Sequence, residues 1–192
     1  VSRLDLIVGP NGAGKSTFAQ EVLTKRLPGS LFVNADLIAA QRWPEDPEAH
    51  SYDAARIAEA TRSSLIEAGR QFIAETVFSH PSKLALIDQA QAAGYFVALQ
   101  VLMLPEPLAV ARVAAHVGHG GHSVPEDKIR ERYRRLWPLV AVAAASTQSA
   151  SFWDNSTLDG PHLVAALVNG HPLAHPKWPT WAPDVLVDRW PA

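Results

Sequence analysis

The chain contains no cysteine, so disulfides, thiol catalysis and cysteine-ligated zinc are excluded. It also lacks a long apolar run. The longest, Phe96 to Leu104, is interrupted by Gln100 and falls well short of the roughly 20 residues that span a bilayer. Neither a membrane span nor a signal peptide is predicted, and a cytoplasmic location is expected. An excess of either charge is missing too: 17 Lys and Arg face 19 Asp and Glu, for a net charge of -2. That argues against nucleic acid as the main partner, because bulk binding of a polyanion needs a strong basic excess. The basic charge that exists is unevenly placed. Arg112, Lys128, Arg130, Arg132, Arg134 and Arg135 are six of the 17 cations, and their crowding points to a local anion.

What is present is led by Gly9-Pro10-Asn11-Gly12-Ala13-Gly14-Lys15-Ser16, followed by Thr17. It fits G-x-x-x-x-G-K-[ST], the loop whose backbone N–H groups wrap the phosphates of a nucleotide. Asn11 to Thr17 are the candidate nucleotide-binding residues, with Lys15 reaching the β- and γ-phosphates and the Ser16 hydroxyl binding Mg²⁺. The flanks supply the context this motif needs. Leu4 to Val8 reads as a buried strand, and Thr17 to Leu27 as an amphipathic helix stopped by Pro28-Gly29. The expected cofactors are therefore ATP and Mg²⁺.

Further strands are predicted at Leu31–Asn34, Gln71–Phe78, Tyr95–Leu104 and Ser151–Trp153, with helices between them. Strands alternating with helices predict an α/β phosphate-loop NTPase fold: a five-stranded parallel sheet, helices on both faces and a helical lid. Pro138 is expected to kink or divide the long basic helix that opens at Pro125. His162–Val168 reads as a last helix. The expected division is a kinase-like domain over residues 1–169, with its lid at about 112–135, and a Pro- and Trp-rich tail over 170–192 packed on it. Ligands of such sheets bind beyond the carboxyl ends of the strands, where Asp36, Glu75 and Asp154 all fall.

The loop is shared by several classes. A transport ATPase of the ABC type needs an LSGGQ-like signature and a strand ending in Asp-Glu, and a GTPase needs Asn-Lys-x-Asp; the chain has none of these. Four features remain together: Gly9 to Thr17, Asn34-Ala35-Asp36, Phe72-Ile73-Ala74-Glu75-Thr76 with Ser79, and Arg112-Val113 through Gly120-Gly121-His122-Ser123 to Arg132-Tyr133. In this order they resemble the zeta-toxin-like family of small phosphate-loop kinases, over residues 4 to about 156. The resemblance implies ATP-dependent phosphorylation of a hydroxyl on a metabolite, in the best-known members a UDP-linked amino sugar, and an antitoxin protein as partner. It implies that Asp36 accepts the acceptor's hydroxyl proton, that Glu75 and Thr76 bind the acceptor, and that Arg112 and Arg132 meet the ATP phosphates. Ser79 is assigned with the acceptor residues. Two positions depart from the pattern: His116 stands where such lids repeat an arginine, and Thr76-Val77-Phe78-Ser79 lacks a further basic residue.

Other readings of the same residues remain open. Asp36 could cap the turn that follows it, and Glu75 could be the acid that supports the Mg²⁺. Thr76 and Ser79 could satisfy backbone donors. Asn155, within Asp154-Asn155-Ser156, could line the adenine pocket or form a turn. His116, His119 and His122 recur every three residues, but the glycines among them break any aligning helix, so they read as a lid tip rather than a zinc site. A slow ATPase acting as a regulatory module is the alternative function, and a nucleic-acid end kinase a further one.

Overall fold

The computed structural model describes residues 1–117 and 124–192, without the side chains of residues 116 and 117. Its centre is β1 (Arg3–Val8), whose Leu4, Leu6, Ile7 and Val8 are fully buried. Such a run suits a strand covered on both faces. It pairs in parallel with β3 (Phe72–Thr76) on one side and β4 (Phe96–Met103) on the other. β2 (Leu31–Val33) adds in parallel outside β3, and β5 (Ser149–Asp154) outside β4. These are the five parallel strands that the sequence predicts.

The sheet does not stop there. β6 (His162–Val168) pairs antiparallel with β5, and β7 (His171–Pro172) antiparallel with β6, giving a seven-stranded mixed sheet in the order β2-β3-β1-β4-β5-β6-β7. The expectation of a helix at His162–Val168 is thus overturned. The free edge of β5 offers pairing to any segment that can extend, and within β6 the buried residues Ala165 and Leu167 alternate with more exposed neighbours at the strand period.

Helices connect the parallel strands. α1 (Lys15–Phe18) continues through a π-helical stretch (Ala19–Leu23) into α2 (Thr24–Arg26). α3 (Ala35–Arg42) and α4 (Ser51–Glu67) lie between β2 and β3, α5 (Ser82–Ala92) between β3 and β4. α6 (Glu106–Val117) and α7 (Glu126–Ser146) precede β5. α7 is one helix with Pro138 inside it, so Pro138 does not divide it. Pro138 is exposed, so its ring lies on the side of α7 away from the core. Tyr133 fastens α7 to the sheet: its hydroxyl donates to Leu104 O at 3.0 Å. Burial, then the charge of Glu106, pushes that hydroxyl's pKa up to about 12.

The tail closes with α8 (Asp184–Arg189), whose Leu186 is fully buried. Trp178 and Trp190 pack their rings on Phe152 of β5, with centroids 5.2 and 5.9 Å away. Trp178 Nε1 donates to Trp190 O at 2.7 Å, and Trp190 Nε1 to Gly170 O at 2.9 Å. Both rings thereby bury apolar surface and still pair their polar edge. No described helix is long and apolar enough to cross a membrane.

Candidate functional site

The register of the sheet assembles the site. Val8, the last residue of β1, lies level with Thr76 of β3 and Val101 of β4, and Ile7 with Glu75. Gly9 to Ser16 therefore leaves the sheet beside Glu75. Met103 is level with Asp154, and Asn155 N continues that pairing to Met103 O at 2.9 Å, which brings the end of β5 to the same edge.

Two glycines shape the loop. Gly12 has φ of 75°, and a Cβ there would lie 3.0 Å from Ala109 O; Gly14 has φ of 80°, and a Cβ there would lie 2.8 Å from Asn155 Nδ2. Only glycine meets both demands without strain. The loop is clasped from outside as well: Asn155 Nδ2 donates to Ala13 O at 2.9 Å, and Arg112 donates to Asn155 O at 2.9 Å. Asn155 and Arg112, which the sequence offers as nucleotide contacts, form one chain of hydrogen bonds from α6 to the loop. Asp154 Oδ1 accepts from Ser156 N at 2.8 Å, so the segment is also the turn its residues favour. Asn11 Oδ1 is buried with no hydrogen-bond partner among the described residues.

Lys15 is buried, with 7% of its side chain exposed. Its ammonium donates to Pro10 O at 2.9 Å and stands 4.0 Å from Glu75 Oε1. Burial lowers its pKa, opposed by the negative charges of Glu75 and then Asp36. A cation held so is stabilised by any anion that enters the loop. Glu75 Oε2 accepts from Ser16 Oγ at 2.8 Å and from Asn34 Nδ2 at 2.6 Å. Asn34 also caps α3, its Oδ1 accepting from Asp36 N at 2.7 Å and Leu37 N at 3.1 Å. The capping reading of Asp36 is therefore corrected: Asn34 holds that position, which leaves the exposed Asp36 carboxylate in the first turn of α3, near enough for its charge to act on Lys15.

These residues fit a Mg²⁺-nucleotide. The glycine cradle, the amides of the first helical turn and the partly desolvated Lys15 suit the phosphates. The Ser16 hydroxyl, turned to a carboxylate, suits a cation that keeps most of its ligands as water and phosphate oxygen.

The remaining residues are less gathered. Thr76 Oγ1 accepts from Phe78 N at 3.2 Å, in a turn where the buried Phe78 has φ of 64°. Ser79 is half-buried. In the basic run, Arg130 pairs with Glu106 and Glu126, Arg135 with Glu131, Lys128 with Glu131, and Arg134 lies 3.9 Å from Glu106. Arg132 is exposed and makes no ion pair among the described residues, so it is the arginine of that run whose charge is uncommitted. The predicted hinge glycines 118, 120 and 121, with His119, His122 and the His116 side chain, lie outside the described residues. No cluster of three metal-ligating side chains occurs among the described residues.

Sequence reasoning missed two parts of this neighbourhood. Asn34 reads there as a strand end, although Asn ahead of a helical run is an N-cap signal. Arg62 of α4 and Lys83 of α5 belong to no local motif, yet both line a cavity with Glu75 and Thr76.

A strand, a glycine loop with a buried lysine and a helix, placed at the carboxyl edge of a mostly parallel sheet, define a phosphate-loop nucleotide-binding fold. The chain belongs to the family described as AAA domain, whose model matches residues 4–139. An uncharacterised protein of Haemophilus influenzae is 30% identical over 129 residues, 65% of this chain and 88% of that protein. Among solved structures, the PezAT chromosomal toxin-antitoxin system of Streptococcus pneumoniae aligns with a TM-score of 0.64 at 15% identity, over 98% of this chain and 78% of that one. AvrRxo1-ORF1:-ORF2 with ATP aligns with a TM-score of 0.64 at 15% identity, over 89% of this chain. The alignment spans 60% of that longer chain. At such identities the likeness is one of fold.

Proposed function

We propose that this chain is an ATP-dependent kinase of the zeta-toxin-like kind, moving the γ-phosphoryl group of ATP to a hydroxyl of a small metabolite. The observation that carries the proposal is Glu75 standing 4.0 Å from Lys15 at the mouth of the loop, with Asp36 exposed in the first turn of α3 that follows the Glu75-bound Asn34, and with a cavity lined in part by Glu75. An ATPase needs only water there; a kinase needs room for an acceptor.

Phosphoryl transfer asks a protein mainly for positioning and charge stabilisation. Lys15 holds negative phosphate oxygens against the loop, and Asn155 and Arg112 keep the loop wall in place. Mg²⁺, when bound, neutralises charge on the transferring group, and Ser16 backed by Glu75 and Asn34 is where this chain would hold it. Asp36, exposed at the start of α3, takes the proton of the attacking hydroxyl as the new O–P bond forms and the bond to the ADP leaving group breaks. Arg112 and Arg132 supply lid charge to the phosphates. A UDP-linked amino sugar is one acceptor of this kind, and an antitoxin one partner; the likeness of fold to the PezAT toxin-antitoxin structure supports the partner as a candidate.

The test is Asp36→Asn. It keeps the size and the Asn34 cap, so ATP binds within about threefold of wild type. Transfer to a metabolite hydroxyl, followed with labelled ATP and mass spectrometry, falls by the roughly 10²–10⁴-fold expected of a lost general base. ATP hydrolysis unchanged, with no acceptor labelled by either protein, would favour a nucleotide-hydrolysing regulatory module.

A further inference from the structure

A cavity of about 120 Å³ lies between α4, β3 and α5, and its wall carries Glu59, Arg62, Glu75, Thr76, Ser82 and Lys83. It is well below the ~300 Å³ at which pockets hold a whole drug-sized ligand, so it suits one end of a small molecule. Glu75 joins its wall to the phosphate loop through Ser16 and Lys15.

Two acids and two bases line the cavity, but Glu75 is already engaged by Ser16, Asn34 and Lys15, which leaves Arg62 and Lys83 facing Glu59 alone. Arg62 and Lys83 are both half-buried and come from different helices. Neither side chain makes a hydrogen bond or an ion pair within 4 Å among the described residues. Burial lowers the pKa of each, with Glu59 opposing it in both. For Lys83 the positive charge of Arg62 comes next after burial and outweighs Glu59. Two cations that repel across a partly desolvated wall, with too little nearby carboxylate to offset them, are each relieved by one anion between them. A guanidinium fork beside an ammonium suits the oxygens of a carboxylate or phosphate. The first turn of α5, which holds Ser82 and Lys83, contains no acidic residue, so its dipole favours the same charge.

We infer that the acceptor is an anionic hydroxy compound, its carboxylate or phosphate held by Arg62 and Lys83 and its hydroxyl turned toward Glu75 and Asp36. The inference rests on the kinase reading for the hydroxyl, but the anion site is testable without it.

The probes are glycerol, glycerate and glycerol phosphate, which share a three-carbon hydroxyl skeleton and differ in one end. Each is titrated calorimetrically into protein saturated with Mg²⁺ and a non-hydrolysable ATP analogue, so that the phosphate loop is already filled. At least one anionic probe binds tenfold or more tightly than glycerol, and which one does so separates carboxylate from phosphate. Arg62→Gln and Lys83→Gln each weaken that probe tenfold or more, Arg62→Lys restores part of the loss, and the affinity for the ATP analogue changes less than twofold in all three. Equal binding of all three probes, binding of none, or binding indifferent to both substitutions overturns the inference. Labelled ATP then separates the two readings. An anionic probe that binds through Arg62 and Lys83 but is not phosphorylated counts against the kinase, whereas transfer to glycerol alone retains the kinase and overturns the anion site.

Discussion

Gly14 and Asn155 lie 141 positions apart in sequence, but the substitution Gly14→Ala acts on both. Alanine at a φ of 80° costs about 1–2 kcal/mol for the left-handed backbone. Its Cβ would also stand 2.8 Å from Asn155 Nδ2, which displaces the amide from Ala13 O and loses a hydrogen bond worth about 1 kcal/mol. The single variant is therefore less stable by about 2–3 kcal/mol, and Asn155→Ala by about 1 kcal/mol. In the double variant the clash is gone and the hydrogen bond is lost only once. Its total is about 2–3 kcal/mol where the sum of the singles is about 3–4, a coupling of about 1 kcal/mol. Urea unfolding of the nucleotide-free proteins, followed by tryptophan fluorescence, measures all four corners, with the slope against urea unchanged if the native state stays compact. Additivity within about 0.5 kcal/mol would refute the reasoning, since it would mean that Asn155 does not close over Gly14 in solution.

Lys15→Met makes the nucleotide-free protein more stable and the nucleotide-bound one less so. Burial lowers the pKa of Lys15 below its ordinary 10.5, so between those two values the unfolded chain holds a proton that the folded chain has released. Wild-type stability rises with pH across that window, and the variant lacks this rise in denaturant melts at stepped pH. At an ATP concentration of about 100 times the wild-type Kd, wild type gains about 2.7 kcal/mol, and a variant bound a hundredfold more weakly gains about 0.4; a nucleotide-free variant less stable than wild type would contradict the buried-cation account. Trp190→Ala removes a ring that is 5% exposed and stands on Phe152, at a cost of about 3–5 kcal/mol, read as a lowered midpoint in thermal unfolding. A loss under about 1 kcal/mol would mean that α8 is not part of the folding unit.

The phosphate loop and its flanking strand and helix are legible in the sequence because their chemistry is local. Backbone conformation, buried lysine and hydroxyl all lie within nine consecutive residues. The parallel strands are legible because burial on both faces leaves continuous apolar runs such as Phe96 to Met103. His162–Val168 is not, since a short alanine-bearing apolar run fits both helix and strand, and the open edge of β5 decides. Asn34 hides behind its position at a strand end, where its cap and its bond to Glu75 cannot be told from a turn. Arg62 and Lys83 are invisible for a different reason. They meet only because α4 and α5 flank the same strand, and no spacing rule connects residues on two helices across an intervening strand.

The hydrogen bond from Asn155 to Ala13 joins residues 142 apart, and this has a consequence for the order in which a growing chain acquires its parts. At about 5–20 residues per second, on the order of 10–30 s separate synthesis of Ala13 from synthesis of the residue that clasps it. β1 waits as well, since its two neighbours in the sheet are β3 and β4. The nucleotide loop is thus made long before it is held, so a nascent chain stays without its clasped nucleotide site until Asn155 has left the ribosome.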